Sequence, residues 1–113
     1  MTTEKENPVG IGRIVRDENN HVIKIVEEKD ATVKEKSIKE INVGCYIFRV
    51  DFLKKYLQLL EKSSITGEYY LTRLIDLGLQ HGEKVETIKE NNLLWYGINT
   101  SEELEKAERI FKL

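Results

Sequence analysis

Two polar side chains, those of Glu27 and Asn42, follow apolar runs at positions where they could bind a ligand. If each run forms a strand, Glu27 continues the face begun by Ile23 and Ile25, because alternate residues of a strand share a face. Asn42 shares a face with Gly44, which has no side chain. A carboxylate and an amide beside an apolar face would suit a hydroxyl-rich ligand. The ordinary alternative is a strand that ends in solvent at Glu27, with Asn42 bonded to the backbone.

Three predicted strands must position these two side chains. Residues 10–28 alternate around a turn-forming Glu-Asn-Asn and predict a β-hairpin, while residues 39–49 predict a buried central strand. Cys45 lies within that central strand, so we expect a buried and unreactive thiol. Residues 1–8 are polar and predict either a frayed lead-in or part of a strand.

Three helices are predicted to flank the strands. The first begins at Asp51 as N-cap, the second spans residues 68–80 and ends at Gly82, and the third follows a Thr100–Glu103 capping box. Residues 29–36 predict a loop or one irregular turn.

The remaining segments predict two short strands, residues 84–89 and 93–96, separated by a turn at Asn91 and Asn92. The element order is therefore ββ, β, α, α, β, β, α. This order predicts an α/β fold, with a mixed sheet that contains a β-hairpin and three flanking helices.

The composition predicts one folded domain over residues 1–113. Hydrophobic residues make up 40% of the chain and charged residues 34%, which is usual for a folded soluble protein. The net charge of −2 gives no bias toward nucleic acid or an anionic membrane, and no apolar run is long enough for a transmembrane helix. The single cysteine and the polar first eight residues fit a reducing, cytoplasmic location.

No complete active site is visible from residue types alone. The chain contains no G-x-G-x-x-G, no Walker A sequence and no C-x-x-C. His21 and His81 are far apart in the sequence, and we expect a turn residue and a helix C-terminal cation rather than metal ligands.

Five ordered blocks resemble the sugar-1-phosphate nucleotidyltransferase family. They are N-P-V-G-I-G-R-I-V-R, I-V-E-E-K-D-A-T, E-I-N-V-G, G-E-Y-Y-L-T and G-I-N-T. They are most similar to the pyrophosphorylase domain of bacterial bifunctional N-acetylglucosamine-1-phosphate uridyltransferases, and correspond to its C-terminal half. The resemblance implies a Rossmann-like parent fold whose N-terminal half, with a G-x-G-T-R-M nucleotide loop, an essential lysine and a metal-binding aspartate, has no counterpart in these residues.

The resemblance also implies roles for four residues. Gly12 would let the backbone approach the sugar, and Glu27 and Asn42 would bond its hydroxyls. Asn99 would be one ligand of Mg²⁺, with carboxylate and phosphate ligands supplied from outside this half. It places no catalytic residue in this half. Two positions depart from the family pattern, namely Ile11 in place of a tyrosine and Arg73 in place of an aspartate.

The implied reaction converts UTP and N-acetylglucosamine-1-phosphate to UDP-N-acetylglucosamine and pyrophosphate. We expect the 113 residues alone to be inactive and to form a homo-oligomer through exposed strand edges. Glucose-1-phosphate or mannose-1-phosphate remains possible as the sugar substrate, because the G-I-N-T block resembles other family members too. A non-catalytic sugar-phosphate-binding module and an oligomerisation module remain alternatives.

Overall fold

The computed structural model, which describes residues 1–91 and 93–112, contains four strands and four α-helices within that part. The strands are β1 (Thr2–Glu4), β2 (Arg13–Arg16), β3 (Val22–Val26) and β4 (Glu40–Asn42). The helices are α1 (Val33–Lys36), α2 (Val50–Tyr56), α3 (Arg73–Gln80) and α4 (Ser101–Phe111), and a 3-10 turn, Leu57–Leu59, follows α2.

The four strands form one sheet in the order β1-β4-β2-β3, and every paired strand runs antiparallel to its neighbour. A small mixed α/β domain is thus confirmed, whereas the expected mixed sheet with three helices is wrong. The one parallel pairing among the described residues is an isolated bridge between Thr2 and Lys89. The fourth helix is α1, where Thr32 and Glu35 form a capping box that turns the expected loop into a helix.

The predicted hairpin is present, but its second strand contains a bulge that changes the expected faces. Val15 pairs with Lys24, yet Arg16 pairs with Val22, so Ile23 is the additional residue. Ile23 is 48% exposed, and Val22 joins Ile25 in the core instead. The prediction that Ile23 and Ile25 share a face is therefore wrong, because the bulge shifts the alternation by one residue.

The predicted central strand occupies the centre of the sheet but is much shorter than residues 39–49. It ends at Asn42, where Gly44 adopts a φ of +81° and turns the chain away. Cys45 is consequently exposed, so its expected burial is wrong. Ile47 is 98% exposed for the same reason.

Two of the three predicted helices begin at other residues than expected. Arg49, not Asp51, is the N-cap of α2, and the Asp51 carboxylate instead accepts a hydrogen bond from the Arg49 guanidinium. Helix α3 begins at Arg73 rather than near residue 68. Its end is as predicted, with His81 as C-cap and Gly82 at a φ of +73°.

The main core lies between the hairpin and α3. Ile14, Val22, Ile25 and Ile75 form its buried centre. The half-buried side chains packed against this centre are Tyr46, Phe48, Leu79 and Val85. The hairpin and α3 therefore form the best-packed part of the described chain.

The C-terminal part is less regular. Residues 84–89 contribute only the bridge at Lys89, and the described residues 93–96 form no strand, so both predicted strands are wrong. The turn expected at Asn91 and Asn92 lies partly outside the described residues. The Thr100–Glu103 capping box of α4 is confirmed, and no described helix has the length and hydropathy to cross a bilayer.

Candidate functional site

Gly12 and Glu27, predicted from widely separated sequence blocks, are neighbours at the end of the hairpin. A Cβ atom built on Gly12 would lie 3.3 Å from Oε2 of Glu27. Such a contact is tighter than most real Cβ contacts, and nothing in the Gly12 backbone requires a positive φ. A side chain at Gly12 would therefore press on the Glu27 carboxylate and require it to shift.

Glu27 is held in place by α3. The hydroxyl of Thr72, the N-cap residue of α3, donates to Oε1 of Glu27 over 2.8 Å. Thr72 is buried and Glu27 is half-buried. The carboxylate is thus oriented by one hydroxyl on Oε1, while Oε2 lies toward Gly12.

Asn42 is tied to the same place through the sheet. Its backbone N–H donates to the carbonyl of Gly12 over 2.9 Å. Its side-chain oxygen accepts from the N–H of Gly44 over 3.0 Å, as the ordinary alternative of a backbone-bonded asparagine predicts. The amide nitrogen of Asn42 is the part of the side chain that remains suited to donate to a ligand.

Tyr46 is a polar neighbour of this group that no sequence pattern indicated. Burial raises its pKa to about 12, and the charge of Glu27 adds to the rise. The hydroxyl oxygen is buried and has no hydrogen-bond partner of ordinary geometry within the described residues, although the Asn42 amide is near enough to oppose the pKa rise. A ligand hydroxyl could satisfy this oxygen.

A cleft of about 150 Å³ opens beside Glu27, between β3 and the start of α3. Its polar lining residues are Lys24, Glu27, Asp30, Tyr70, Thr72, Arg73 and Asp76. Both cations are paired, Lys24 with Glu35 and Arg73 with Asp30. The cleft therefore presents hydroxyls and carboxylates, which can exchange hydrogen bonds with sugar hydroxyls.

One carboxylate of the cleft carries a perturbed pKa. Burial raises the pKa of Asp76, while a hydrogen bond from the backbone N–H of Ile25 and the charges of Arg73 and Lys24 oppose the rise. The bond to Ile25 measures 3.1 Å and joins α3 to the outer strand of the hairpin. Asp76 therefore has a structural bond in the same cleft.

Asn99 is not brought to this group by any hydrogen bond or ion pair among the described residues. It is exposed, and its backbone N–H donates to Oε2 of Glu103 over 2.7 Å. The same carboxylate oxygen also accepts from the N–H of Thr100, within the capping box. The structure thus brings three of the four predicted site residues together, and among the described residues no hydrogen bond or ion pair joins Asn99 to them.

The described residues do not form a metal site by themselves. Residues 1–91 and 93–112 contain no group of three histidine, cysteine, aspartate or glutamate side chains that could hold an ion. Mg²⁺ requires near-octahedral oxygen coordination, and Glu103, the carboxylate bonded to the backbone of Asn99, already caps α4. A magnesium role for Asn99 would need carboxylates from outside these residues.

Three residues of the site escaped prediction, namely Thr72, Tyr46 and Asp30. Thr72 lies in the G-E-Y-Y-L-T block and Asp30 in the I-V-E-E-K-D-A-T block. Their presence in blocks that resemble the family was a signal that could have identified them. Their contacts were not predictable, because Thr72 meets Glu27 across 45 residues of sequence.

Comparisons with known proteins found close relatives. Proteins called "Bifunctional protein GlmU" match from Carboxydothermus hydrogenoformans (47% identity over 110 residues, 96% of this chain) and from Helicobacter pylori (47% over 104 residues, 92% of this chain). One from Clostridium novyi matches at 45% over 113 residues and covers 100% of the chain. No protein-family model matches.

These matches cover only part of each relative. The chain spans 25%, 24% and 25% of the three relatives, about a quarter of their length. The similarity is therefore to one segment of a longer bifunctional protein.

Proposed function

We propose that this chain provides the sugar-phosphate-binding part of a UDP-N-acetylglucosamine pyrophosphorylase, in the C-terminal half of a Rossmann-like nucleotidyltransferase domain. The relatives are bifunctional proteins matched over a quarter of their length, and the five sequence blocks resemble the uridyltransferase domain. The parent reaction would join UTP and N-acetylglucosamine-1-phosphate and release pyrophosphate. This assignment makes the chain a binding component of the enzyme rather than its full catalytic unit.

The observation that carries the proposal is the position of the Glu27 carboxylate. Its Oε2 atom would lie 3.3 Å from a Cβ atom built on Gly12, and its Oε1 atom accepts a hydrogen bond from the Thr72 hydroxyl. The carboxylate lies in a cleft whose lining includes hydroxyls and carboxylates. Gly12 leaves room for the Glu27 carboxylate, and Glu27 would accept hydrogen bonds from the sugar hydroxyls. Asn42 donates through its amide nitrogen, because its oxygen is already used by Gly44.

The chemistry of the proposed reaction asks the protein for positioning rather than for a covalent nucleophile. The phosphate of the sugar attacks the α-phosphorus of UTP, and the main protein contribution is orientation and charge neutralisation. The Glu27 group would orient the sugar. Asn99 as one Mg²⁺ ligand remains part of the proposal, but the described residues contain no group of three histidine, cysteine, aspartate or glutamate side chains that could hold an ion, so no step is derived for the metal.

Self-association remains a prediction of the same proposal. Several large apolar side chains are exposed, namely Ile47, Val50, Leu104, Ile110 and Phe111. In the parent enzyme these could be covered by further protein, and in the isolated chain by a second copy. A purely associative role would leave the arrangement around Glu27 unused.

Ligand binding by the 113-residue chain tests the proposal. We expect N-acetylglucosamine-1-phosphate to shift the backbone amide NMR signals of Gly12, Glu27 and Thr72. The variants Glu27→Ala and Asn42→Ala should each weaken binding by roughly 10- to 100-fold, because a sugar hydroxyl loses its partner at a cost of about 1–3 kcal/mol.

Three controls sharpen this test. Glu108→Gln, an exposed carboxylate on α4, should leave the affinity unchanged. Inorganic phosphate alone should not reproduce the shifts at Glu27. If both variants lower the melting temperature but leave the affinity intact, the residues are structural and the proposal is wrong. Pyrophosphate release from UTP, N-acetylglucosamine-1-phosphate and Mg²⁺ should stay at background for the chain alone.

A further inference from the structure

Two loops that are distant in sequence form the walls of the cleft. One is the loop after β3, which carries Glu27, and the other spans residues 63–72, which carries Tyr70 and Thr72. Thr72 contacts Glu27 directly, but a single hydroxyl does not fix the spacing of two loops. The bond from Ile25 to Asp76 joins β3 to α3 at one side of the cleft, and a further connection between the loops would restrain its other side.

Asp30 makes that connection. The hydroxyl of Ser63 lies 3.1 Å from both carboxylate oxygens of Asp30, and Nη2 of Arg73 lies 3.7 Å from Oδ2. The Asp30 side chain is only 13% exposed, and Ser63 is 3% exposed. Ser63 begins the second wall and Arg73 follows its last residue, so one carboxylate binds at both ends of that wall.

Ser63 passes this restraint to the turn that follows it. Its side-chain oxygen accepts from the N–H groups of Ile65 and Thr66 over 3.2 and 3.3 Å. Its backbone carbonyl accepts from Gly67 and its N–H donates to the carbonyl of Glu68, each over 2.9 Å. The Ser63 hydroxyl thus organises the whole turn while Asp30 holds the hydroxyl.

The turn after Ser63 also positions a side chain that lines the cleft. Thr66 shares a hydrogen bond of 2.7 Å with the hydroxyl of Tyr70, a lining residue of the cleft. On the other wall, the backbone N–H of Asp30 donates to the carbonyl of Glu27 over 3.0 Å. Asp30 is therefore connected to Glu27 on one side and to Tyr70 on the other.

We propose that Asp30 is a positioning residue of the sugar-phosphate cleft, acting through Ser63 and Arg73. This role rests on the proposed function. It also explains the arginine that departs from the family pattern at residue 73. The Arg73 guanidinium is paired with Asp30, so its charge ties the walls together instead of acting as an unpaired cation in the cleft.

The test compares Asp30→Ala and Asp30→Asn with the wild-type chain. Asp30→Ala should weaken binding of N-acetylglucosamine-1-phosphate at least about tenfold, because the two walls lose their common restraint. The affinity of Asp30→Asn should lie between those of Asp30→Ala and the wild-type chain. Its amide oxygen still accepts from Ser63, but the charge facing Arg73 is lost. Asp51→Ala removes an exposed aspartate paired with Arg49, away from the cleft, and should change nothing.

Amide hydrogen exchange gives a second readout that a general loss of stability would not reproduce. In Asp30→Ala the amides of Ile65, Thr66 and Gly67 should lose protection by at least about tenfold, while that of Ile14 in β2 keeps it. Unchanged exchange in the turn overturns the proposal.

The two proposals can fail separately. Lost protection with unchanged affinity overturns the positioning role and leaves Asp30 structural, while the proposed function stands. A wild-type chain that binds no N-acetylglucosamine-1-phosphate overturns the proposed function and, with it, the positioning role.

Discussion

The sheet region, residues 1–42, and the C-terminal region, residues 83–112, hold their side chains by different means. The sheet region contains all four strands and the buried residues Arg13, Ile14 and Ile41. In the described residues of the C-terminal region, Ala107 alone is buried. Gly12, Glu27 and Asn42 lie in the first region and come together, whereas Asn99 lies in the second and, among the described residues, shares no hydrogen bond or ion pair with them.

The difference shows what it takes to position a functional group. In the sheet region, a backbone hydrogen bond fixes Gly12 against Asn42, and a hydrogen bond from the Thr72 hydroxyl fixes Glu27. Residues 88 and 90 of the C-terminal region share backbone hydrogen bonds with Thr2, but beyond residue 90 the attachment includes side-chain contacts such as the indole N–H of Trp95, which donates to the carbonyl of Val43 over 3.0 Å. A site assembled from the first kind of contact is preorganised, and a site that depends on the second kind needs further protein around it.

Replacing the buried arginine of the sheet region should give the largest effect. Arg13 is 1% exposed, binds the carbonyls of Ile11 and Ile38, and pairs with Glu28 at 2.7 Å. Arg13→Ala should lower the free energy of unfolding by roughly 3–5 kcal/mol, because it leaves the buried partners uncompensated. Urea denaturation measures the change.

The matched control is Arg109→Ala in the C-terminal region, where the arginine is 78% exposed. Its effect should stay within about 0.5 kcal/mol of the wild-type protein. Equal losses of unfolding free energy in the two arginine variants would contradict the proposed difference between the regions.

Removing the N-cap of α4 should give an intermediate effect that remains local. Thr100→Ala breaks the capping box and should cost α4 about 1 kcal/mol. Because α4 buries Ala107 alone among its described residues, we expect weaker helical circular dichroism without a matching shift of the global unfolding midpoint. Thr100→Ser keeps the hydroxyl and should behave as the wild-type protein. If the global unfolding midpoint shifts in proportion to the loss of helical circular dichroism, α4 is part of the cooperative core.

The smallest effect should come from Asp76, where the cleft borders the sheet region. Burial raises its folded pKa above the usual 3.8, so the stability linked to its proton is present below that pH and is lost as the pH rises through the folded value. Asp76→Asn keeps an oxygen acceptor for Ile25 and cannot ionise. We expect it to be slightly more stable than the wild-type protein near pH 7 and equal to it near pH 3, by urea midpoints. If the wild-type protein is more stable than Asp76→Asn near pH 7, the charges of Arg73 and Lys24 stabilise the Asp76 carboxylate by more than burial destabilises it.

Local signals in the sequence determined the elements that need only neighbouring residues. The hairpin, the capping box at Thr100 and Glu103, and the glycine that ends α3 were all predictable. The hairpin turn, the capping box and the glycine end each depend on contacts within about four residues, where backbone preferences and short polar side chains decide the conformation. The helix α1 carried the same kind of signal at Thr32 and Glu35, and it could have been predicted.

The tertiary structure alone decided which face each strand residue occupies and which groups meet. The bulge at Ile23 reversed an expected face, and the turn at Gly44 exposed Cys45, since one shifted residue changes every later position. The contacts of Thr72 with Glu27 and of Ser63 with Asp30 join residues 45 and 33 positions apart. Such pairs form because the packed hairpin and α3 bring them within hydrogen-bond distance, and no local preference of the chain encodes that distance.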